Sequence, residues 1–213
     1  MPRAVVVVGG GGHARVVLDI LLLRPQEWRV VGITDETPSL CGSSIFGVSV
    51  LGSDEAVEDA RKSGVEHVIV AIGDNSKRLA LAEDLTARGF EFVNAIHPAA
   101  TVSRFAQLGS GVMISAGAVV CAGASLGDHV IVNTLASVDH DAVVGRGCHI
   151  APGASLCGYV NVGEGVLVGV GACVTPRRSV GAHAVIGAGA VVVKDVPAHV
   201  TAKGVPARWS AST

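Results

Sequence analysis

Residues 108–132 read LGSGVMISAGAVVCAGASLGDHVIV. Leu108, Ile114, Val120, Leu126 and Val132 stand six apart. The same step runs back through Val102 to Ile96. It runs forward through Val138, Val144, Ile150, Leu156, Val162, Val168, Val174, Val180, Ile186 and Val192, with no gap or insertion. Four residues after each aliphatic comes mostly Ala or Val (Ala106, Val112, Ala118, Ala124, Val130, Ala136, Ala142). The fourth and sixth positions then face inward, which is strand alternation. The three residues between cannot alternate and must turn a corner. Glycine often stands first among them (Gly109, Gly127, Gly145, Gly163, Gly169, Gly181, Gly187). The expectation is that it serves there by accepting positive φ.

Three such hexads make one 18-residue triangular coil, and the whole run makes between five and six coils. The pattern resembles the hexapeptide-repeat left-handed parallel β-helix, whose crossovers depart from the usual right-handed rule. A β-sandwich would instead need turns at the spacing of its strands, about every 8–12 residues.

Composition closes off other classes. The chain has 213 residues, 49% hydrophobic, 3% aromatic and 16% charged. Disordered chains are polar and charged, so this one is expected to fold. There is no run of about 18 uninterrupted apolar residues, so no membrane association is expected. The balance of 16 Lys+Arg against 18 Asp+Glu gives no basic footprint for nucleic acid. Five cysteines without a CxxC pair point to a reducing compartment rather than a disulfide framework. The start, MPRAVVVVGGGG, is too short for a secretory signal, and a cytoplasmic location is expected.

Residues 1–95 lack the six-residue period and form a separate predicted domain before the coils of 96–213. Ala4–Val8 reads as a buried strand, and Gly9–Arg15 as a glycine loop opening a helix over Ala14–Leu23. Strands follow at Arg29–Ile33, near Phe46–Leu51 and at His67–Ile72. Helices are expected over Asp54–Lys62 and Ser76–Arg88. This is a Rossmann-like βαβ unit. Gly9, Gly11 and Ala14 fit G-x-G-x-x-A, and Asp35 lies after the second strand. Glycines let a phosphate approach the backbone, and the helix N-terminus attracts its charge. A tight glycine turn without a ligand is the alternative. A dinucleotide fold needs two βαβαβ halves. With room for one, a single nucleotide with one or two phosphates fits better.

Among eight histidines, His140 stands apart. It and Asp141 fall two and three after Val138, at a corner where adjacent side chains can converge. An acid beside an imidazole fixes its tautomer and raises its basicity. One coil later comes Gly158, whose N–H is expected about 4.8 Å away, one strand spacing. A base and an oxyanion donor then share one ridge. His149 faces outward five after Val144 and is expected to reach the same groove. A zinc site of His129, His140 and His149 is the competing reading. Asp141 suits a base better, so no metal is expected.

These residues resemble those of a known family. Gly9–His13, Asn133-Thr134, Val138–Asp141, His149–Ala154, Leu156–Gly158 and Lys203–Arg208 are similar to signatures of the hexapeptide-repeat sugar acetyltransferases. That family comprises sialic-acid O-acetyltransferases and N-acetyltransferases of nucleotide-linked 4-amino-4,6-dideoxysugars. The resemblance implies His140 as general base, Asp141 (often Glu in the family) as its orienting acid, and the Gly158 amide as polariser of the thioester carbonyl. It implies acetyl-CoA as cosubstrate, with His149, Gly158, Gly187, Ala188, Lys203 and Arg208 along its groove. Gly11, Gly12, His13, Arg15, Asp35, Asp74 and Lys77 are implied around the nucleotide sugar, and a homotrimer is implied as the assembly. The acceptor is expected to be a UDP- or GDP-linked amino sugar, such as a bacillosamine precursor or GDP-perosamine. Sialic-acid-type O-acetylation and non-catalytic nucleotide-sugar binding are the alternatives.

Overall fold

A computed structural model describes residues 1–210. Two compact units divide after Pro98. The first is built on β1 (Arg3–Val8), α1 (Gly12–Leu22), β2 (Trp28–Thr34), β3 (Ser44–Ile45) and β4 (Val48–Gly52). It continues through α2 (Ala56–Lys62), β5 (His67–Val70), α3 (Asn75–Ala87) and β6 (Glu91–Phe92). The sheet order is β3-β4-β2-β1-β5-β6, parallel except for the β3–β4 hairpin. Val5, Val6, Val7 and Val8 have no exposed surface. Such a run suits a central parallel strand covered on both faces. Val8 pairs with Thr34 on one side and Val70 on the other. The glycine loop, Asp35 and the Ile72–Asp74 segment therefore leave the sheet from one carboxyl edge, where such folds bind ligands. Phe46, expected within a strand, instead forms the hairpin turn with Gly47, both at positive φ.

The second unit is a left-handed parallel β-helix of two-residue strands. One face stacks Met113–Ile114, Ile131–Val132, His149–Ile150, Leu167–Val168, Val185–Ile186 and Thr201–Ala202. The second stacks Thr101–Val102, Val119–Val120, Ser137–Val138, Ser155–Leu156, Cys173–Val174 and Val191–Val192. The third stacks Gln107–Leu108, Ser125–Leu126, Val143–Val144, Asn161–Val162 and Ser179–Val180. Inward residues such as Val132, Ala136, Val138, Ala142 and Ala154 are wholly buried. Two short inward side chains per hexad fill the narrow prism, so aromatics are not needed to form its core.

Two features differ from the sequence reading. Glycine at the first corner position does not serve there through positive φ. A Cβ on Gly145 would lie 2.7 Å from the amide nitrogen of Glu164 in the next coil, so close approach of two backbones requires it. From Gly111 to Gly189 the left-handed residue is the third of each corner, as at Asp141 (φ 56°). The period also shortens after Val192. Ile186 pairs with Ala202, and Val180 with Val196, each two residues short of a full coil. Near this slip Arg178 takes an inward hexad position but stays partly exposed, with its guanidinium 3.4 Å from Asp195.

Candidate active site

The corner between the second and third faces carries His140 and Asp141. Val138 ends a strand, and the Asp139 carboxylate accepts the His140 backbone N–H at 2.7 Å, tightening the turn. Asp141 follows in left-handed backbone, which swings its side chain back beside the imidazole. His140 Nδ1 lies 2.9 Å from Asp141 Oδ2. A carboxylate only accepts, so Nδ1 carries the proton and Nε2 presents its lone pair outward. The short Asp side chain thus reaches the imidazole. Both side chains are half-exposed, open to a substrate.

Gly158 lies one coil on, as the 18-residue step requires. A Cβ there would stand 2.6 Å from His140 Nε2 and 2.7 Å from Cε1. Only glycine leaves space for the ring. The Gly158 carbonyl accepts from Arg177 N–H at 3.1 Å, while its own N–H has no acceptor among the described residues. His140 Nε2 therefore lies against Gly158, whose amide donor is free, and acyl transfer needs a base and an oxyanion donor close together. Cys157 precedes Gly158 in this stretch. Burial first, then neighbouring Cys173 and Asp139, push its thiol pKa up, and a protonated thiol attacks poorly.

His149 is not brought to this corner. Nine residues is half an 18-residue coil, so it stands on the first face, across the prism from His140, and its Nε2 meets the Asn133 amide at 3.0 Å. His129 occupies the corner between the third and first faces. The three histidines weighed as zinc ligands therefore point from different sides. Gly187 and Ala188 also lie away from His140, at the corner between the first and second faces. A Cβ on Gly187 would touch Lys203 Cβ at 3.1 Å. Lys203 and Arg208 exchange two backbone hydrogen bonds of 2.9 Å, and Ala207 N–H reaches Val191 O at 2.8 Å. The tail thus carries the chain from the first face to the second. There Lys194, Ala207, Arg208 and Trp209 line a cavity of about 300 Å3. Lys194 and Trp209 escaped the sequence reading. Lys194 was available to it, since steps of 18 from His140 pass Gly158 and Pro176 and land on Lys194.

In the first unit Gly11 caps α1 and Gly12 begins it, without an acidic residue in the first turn. A Cβ on either would meet nothing within 4 Å. Packing does not demand glycine there, and the amides stay open to approach. His13 follows in that turn, and Arg15 lies over the Phe46 ring at 5.7 Å. Asp35 holds the loop itself. Its carboxylate accepts Gly10 N–H at 2.6 Å and Thr37 N–H at 2.8 Å. Against the desolvation that raises it, bonds from the Thr37 side chain and from these two amides hold its pKa below 3.8. Asp74 caps α3 by accepting Lys77 N–H at 2.8 Å. Among the described residues, no group of three or more His, Cys, Asp or Glu is arranged to hold a metal, and no helix is long and apolar enough to cross a membrane.

Comparison with known proteins follows the same division. Residues 4–85 match the PglD N-terminal domain family. The whole chain is similar to PerB from Caulobacter crescentus, solved with CoA and GDP-perosamine. Identity is 44%, coverage 98% of this chain and 97% of that one, and the TM-score 0.92. The acetyltransferase domain of PglB from Neisseria gonorrhoeae, solved with acetyl coenzyme A, is 37% identical over 99% of this chain and 100% of that one, with TM-score 0.91. The UDP-N-acetylbacillosamine N-acetyltransferase of Bacillus subtilis (strain 168) is 37% identical over 115 residues, 54% of this chain. That match spans about half, 52%, of the Bacillus enzyme. The chain belongs to the hexapeptide-repeat family of acetyl-CoA-dependent sugar N-acetyltransferases.

Proposed function

We propose that the protein moves acetyl from acetyl-CoA to the amine of a UDP- or GDP-linked 4-amino-4,6-dideoxysugar, by direct attack. The observation that carries this reading is His140, with Nδ1 bonded to Asp141 at 2.9 Å and Nε2 packed against Gly158. His140 Nε2 accepts the proton released as the amine nitrogen bonds to the thioester carbon. The Gly158 N–H donates to the carbonyl oxygen as charge gathers on it. The C–S bond then breaks, and His140 returns its proton to the leaving thiolate. A positioned base contributes about 10²–10⁴-fold, and alignment of amine with thioester supplies the larger part. No covalent acyl-enzyme is required, in keeping with a raised Cys157 pKa. In two further structures of the Caulobacter relative, one histidine is replaced by Asn or Ala with CoA and GDP-perosamine bound.

Gly11, Gly12, His13 and Arg15 hold the diphosphate of the nucleotide sugar in this reading, and Asp35, Asp74 and Lys77 frame that edge. Lys194, Arg208 and Trp209 take the phosphates and adenine of the coenzyme. Three coils separate Lys194 from His140, about 14 Å at one strand spacing each, a span suited to the pantetheine arm. His149, Gly187, Ala188 and Lys203 lie on other sides of the prism. A second copy of the chain brings His149 to the groove in this reading, and the working unit is a homotrimer with sites between coils. Light scattering should give three times the chain mass; a monomer would remove this assembly. The setting is cytoplasmic synthesis of an acetylated glycan precursor.

Thiol release from acetyl-CoA against a panel of UDP- and GDP-linked 4-amino-4,6-dideoxysugars and free sialic acid tests the reaction. Release is expected with one nucleotide sugar and lost in His140→Ala. Release with sialic acid alone would move the assignment to O-acetylation, and no binding of acetyl-CoA would end it.

A further inference from the structure

The corner that bears His140 differs from the others in its backbone. Three successive coils place Asp141 (φ 56°), Tyr159 (φ 61°) and Arg177 (φ 60°) in left-handed conformation. Among the described residues, no other corner sets three non-glycine residues there in succession. Glycine serves at most of these positions, as at Gly123 in the same column. Side chains in that region cost free energy that packing must offset, and such strain gathers at functional sites. The Asp141 side chain has its use in holding His140. Tyr159 and Arg177 have none in the chemistry so far described.

Their contacts form a chain that ends on the imidazole. The Tyr159 ring meets the His140 ring edge-on, with centroids 5.2 Å apart and planes at 89°. The Arg177 guanidinium lies 4.4 Å from the Tyr159 ring centroid. The backbone ties the same residues: Tyr159 N–H donates to His140 O, and Arg177 N–H to Gly158 O, both at 3.1 Å. Tyr159 is nonetheless 48% exposed, so it is not there to fill the prism. Asp141 fixes the imidazole at Nδ1, and Gly158 bounds it near Nε2. One bond at Nδ1 still leaves the ring free to swing about its side-chain torsions. A T-shaped aromatic contact restricts that swing, and a cation over the tyrosine ring holds it in place.

We propose that Tyr159 is a positioning residue that aims His140 Nε2 at the acceptor amine, and that Arg177 clamps Tyr159 in that pose. The inference rests on His140 being the base. The test is steady-state kinetics on the trimeric or monomeric protein as purified, with acetyl-CoA and the accepted nucleotide sugar, alongside thermal melting. Tyr159→Ala is expected to lower kcat about tenfold, the scale of one aromatic pair, with both KM values within about twofold. Tyr159→Phe keeps the ring and should restore kcat. Arg177→Gln should lower it about threefold, since an exposed cation–π contact is weaker. Tyr159→Gly should lose rate as Ala does while melting no lower than Tyr159→Ala, because glycine relieves the left-handed backbone.

A rise in either KM with kcat intact would make the ring a wall of a substrate pocket and overturn the proposal. So would a Phe variant as slow as Ala, which would transfer the role to the hydroxyl. Full activity in His140→Ala would remove the base and this inference together. An inactive His140→Ala beside a fully active Tyr159→Ala would remove the positioning role alone.

Discussion

The glycine loop of the first unit and the His140 corner of the second both depend on glycine, for opposite reasons. At Gly11 and Gly12 a Cβ would meet nothing within 4 Å. At Gly158 it would strike the imidazole at 2.6 Å. The first pair keeps amides open towards something that arrives. The second makes space for a side chain already present. The same contrast extends to the acids: Asp35 spends its carboxylate on the Gly10 and Thr37 amides of its own fold, whereas Asp141 spends its on the His140 imidazole. The proposed function uses both: an open loop to receive the nucleotide sugar, and a filled corner to hold His140 in one pose.

That contrast predicts effects of very different size. Gly158→Ala should act as a loss of the base. The added methyl displaces His140, and kcat should fall about 10²–10³-fold, the scale of a lost oxyanion donor or base, with the melting temperature little changed. A variant within threefold of wild type would show that His140 can move aside without harm, and the corner would lose its claim to rigidity.

Asp35→Asn should act on stability. Its loss should cost about 1 kcal/mol at pH 7, the scale of a partly solvated charge-assisted bond. The folded carboxyl titrates below 3.8. Its contribution is therefore whole above that value and disappears as pH falls through the lower folded pKa. Urea denaturation at pH 7, 5 and 3.5 should show a gap between wild type and variant that holds from 7 to 5 and narrows at 3.5. A gap that widens on acidification would contradict the bonding seen.

Gly12→Ala should have the smallest effect on the fold and a specific one on binding. With no clash and no positive φ, alanine at a helix start should leave the protein as stable or raise it by about 0.5 kcal/mol. KM for the nucleotide sugar should rise several-fold while KM for acetyl-CoA stays put. Equal changes in both would break the division of labour between the units.

Much of this was legible along the chain because the β-helix is close to one-dimensional. A residue's neighbours in the stack lie 18 positions away, so His140 finds Gly158 and, two steps further, Lys194 by counting. The same arithmetic puts His149 across the prism, half a coil from His140, where the sequence reading had expected one groove. Counting does not report why a glycine is present. Gly145 has the same letter as Gly147, but the first is set by a neighbouring backbone and the second by its own left-handed φ. The first unit was less legible in detail. Asp35 fits a ligand-binding spacing, yet its hydrogen bond from Gly10 arises only once β1 and β2 align.

The sequence by itself determined the two-part organisation, the coil and its period, and the adjacency of His140 and Asp141 at one corner. These follow from local periodicity and from adjacency, which survive without knowledge of contacts. Tertiary structure decided the rest: the proton on Nδ1, the space that Gly158 leaves, the Tyr159–Arg177 stack against the base, and the slip after Val192 that draws the tail over Lys194. Each depends on side-chain direction and on ångström-scale distances between coils, and neither is encoded in a residue's letter or its place in the repeat.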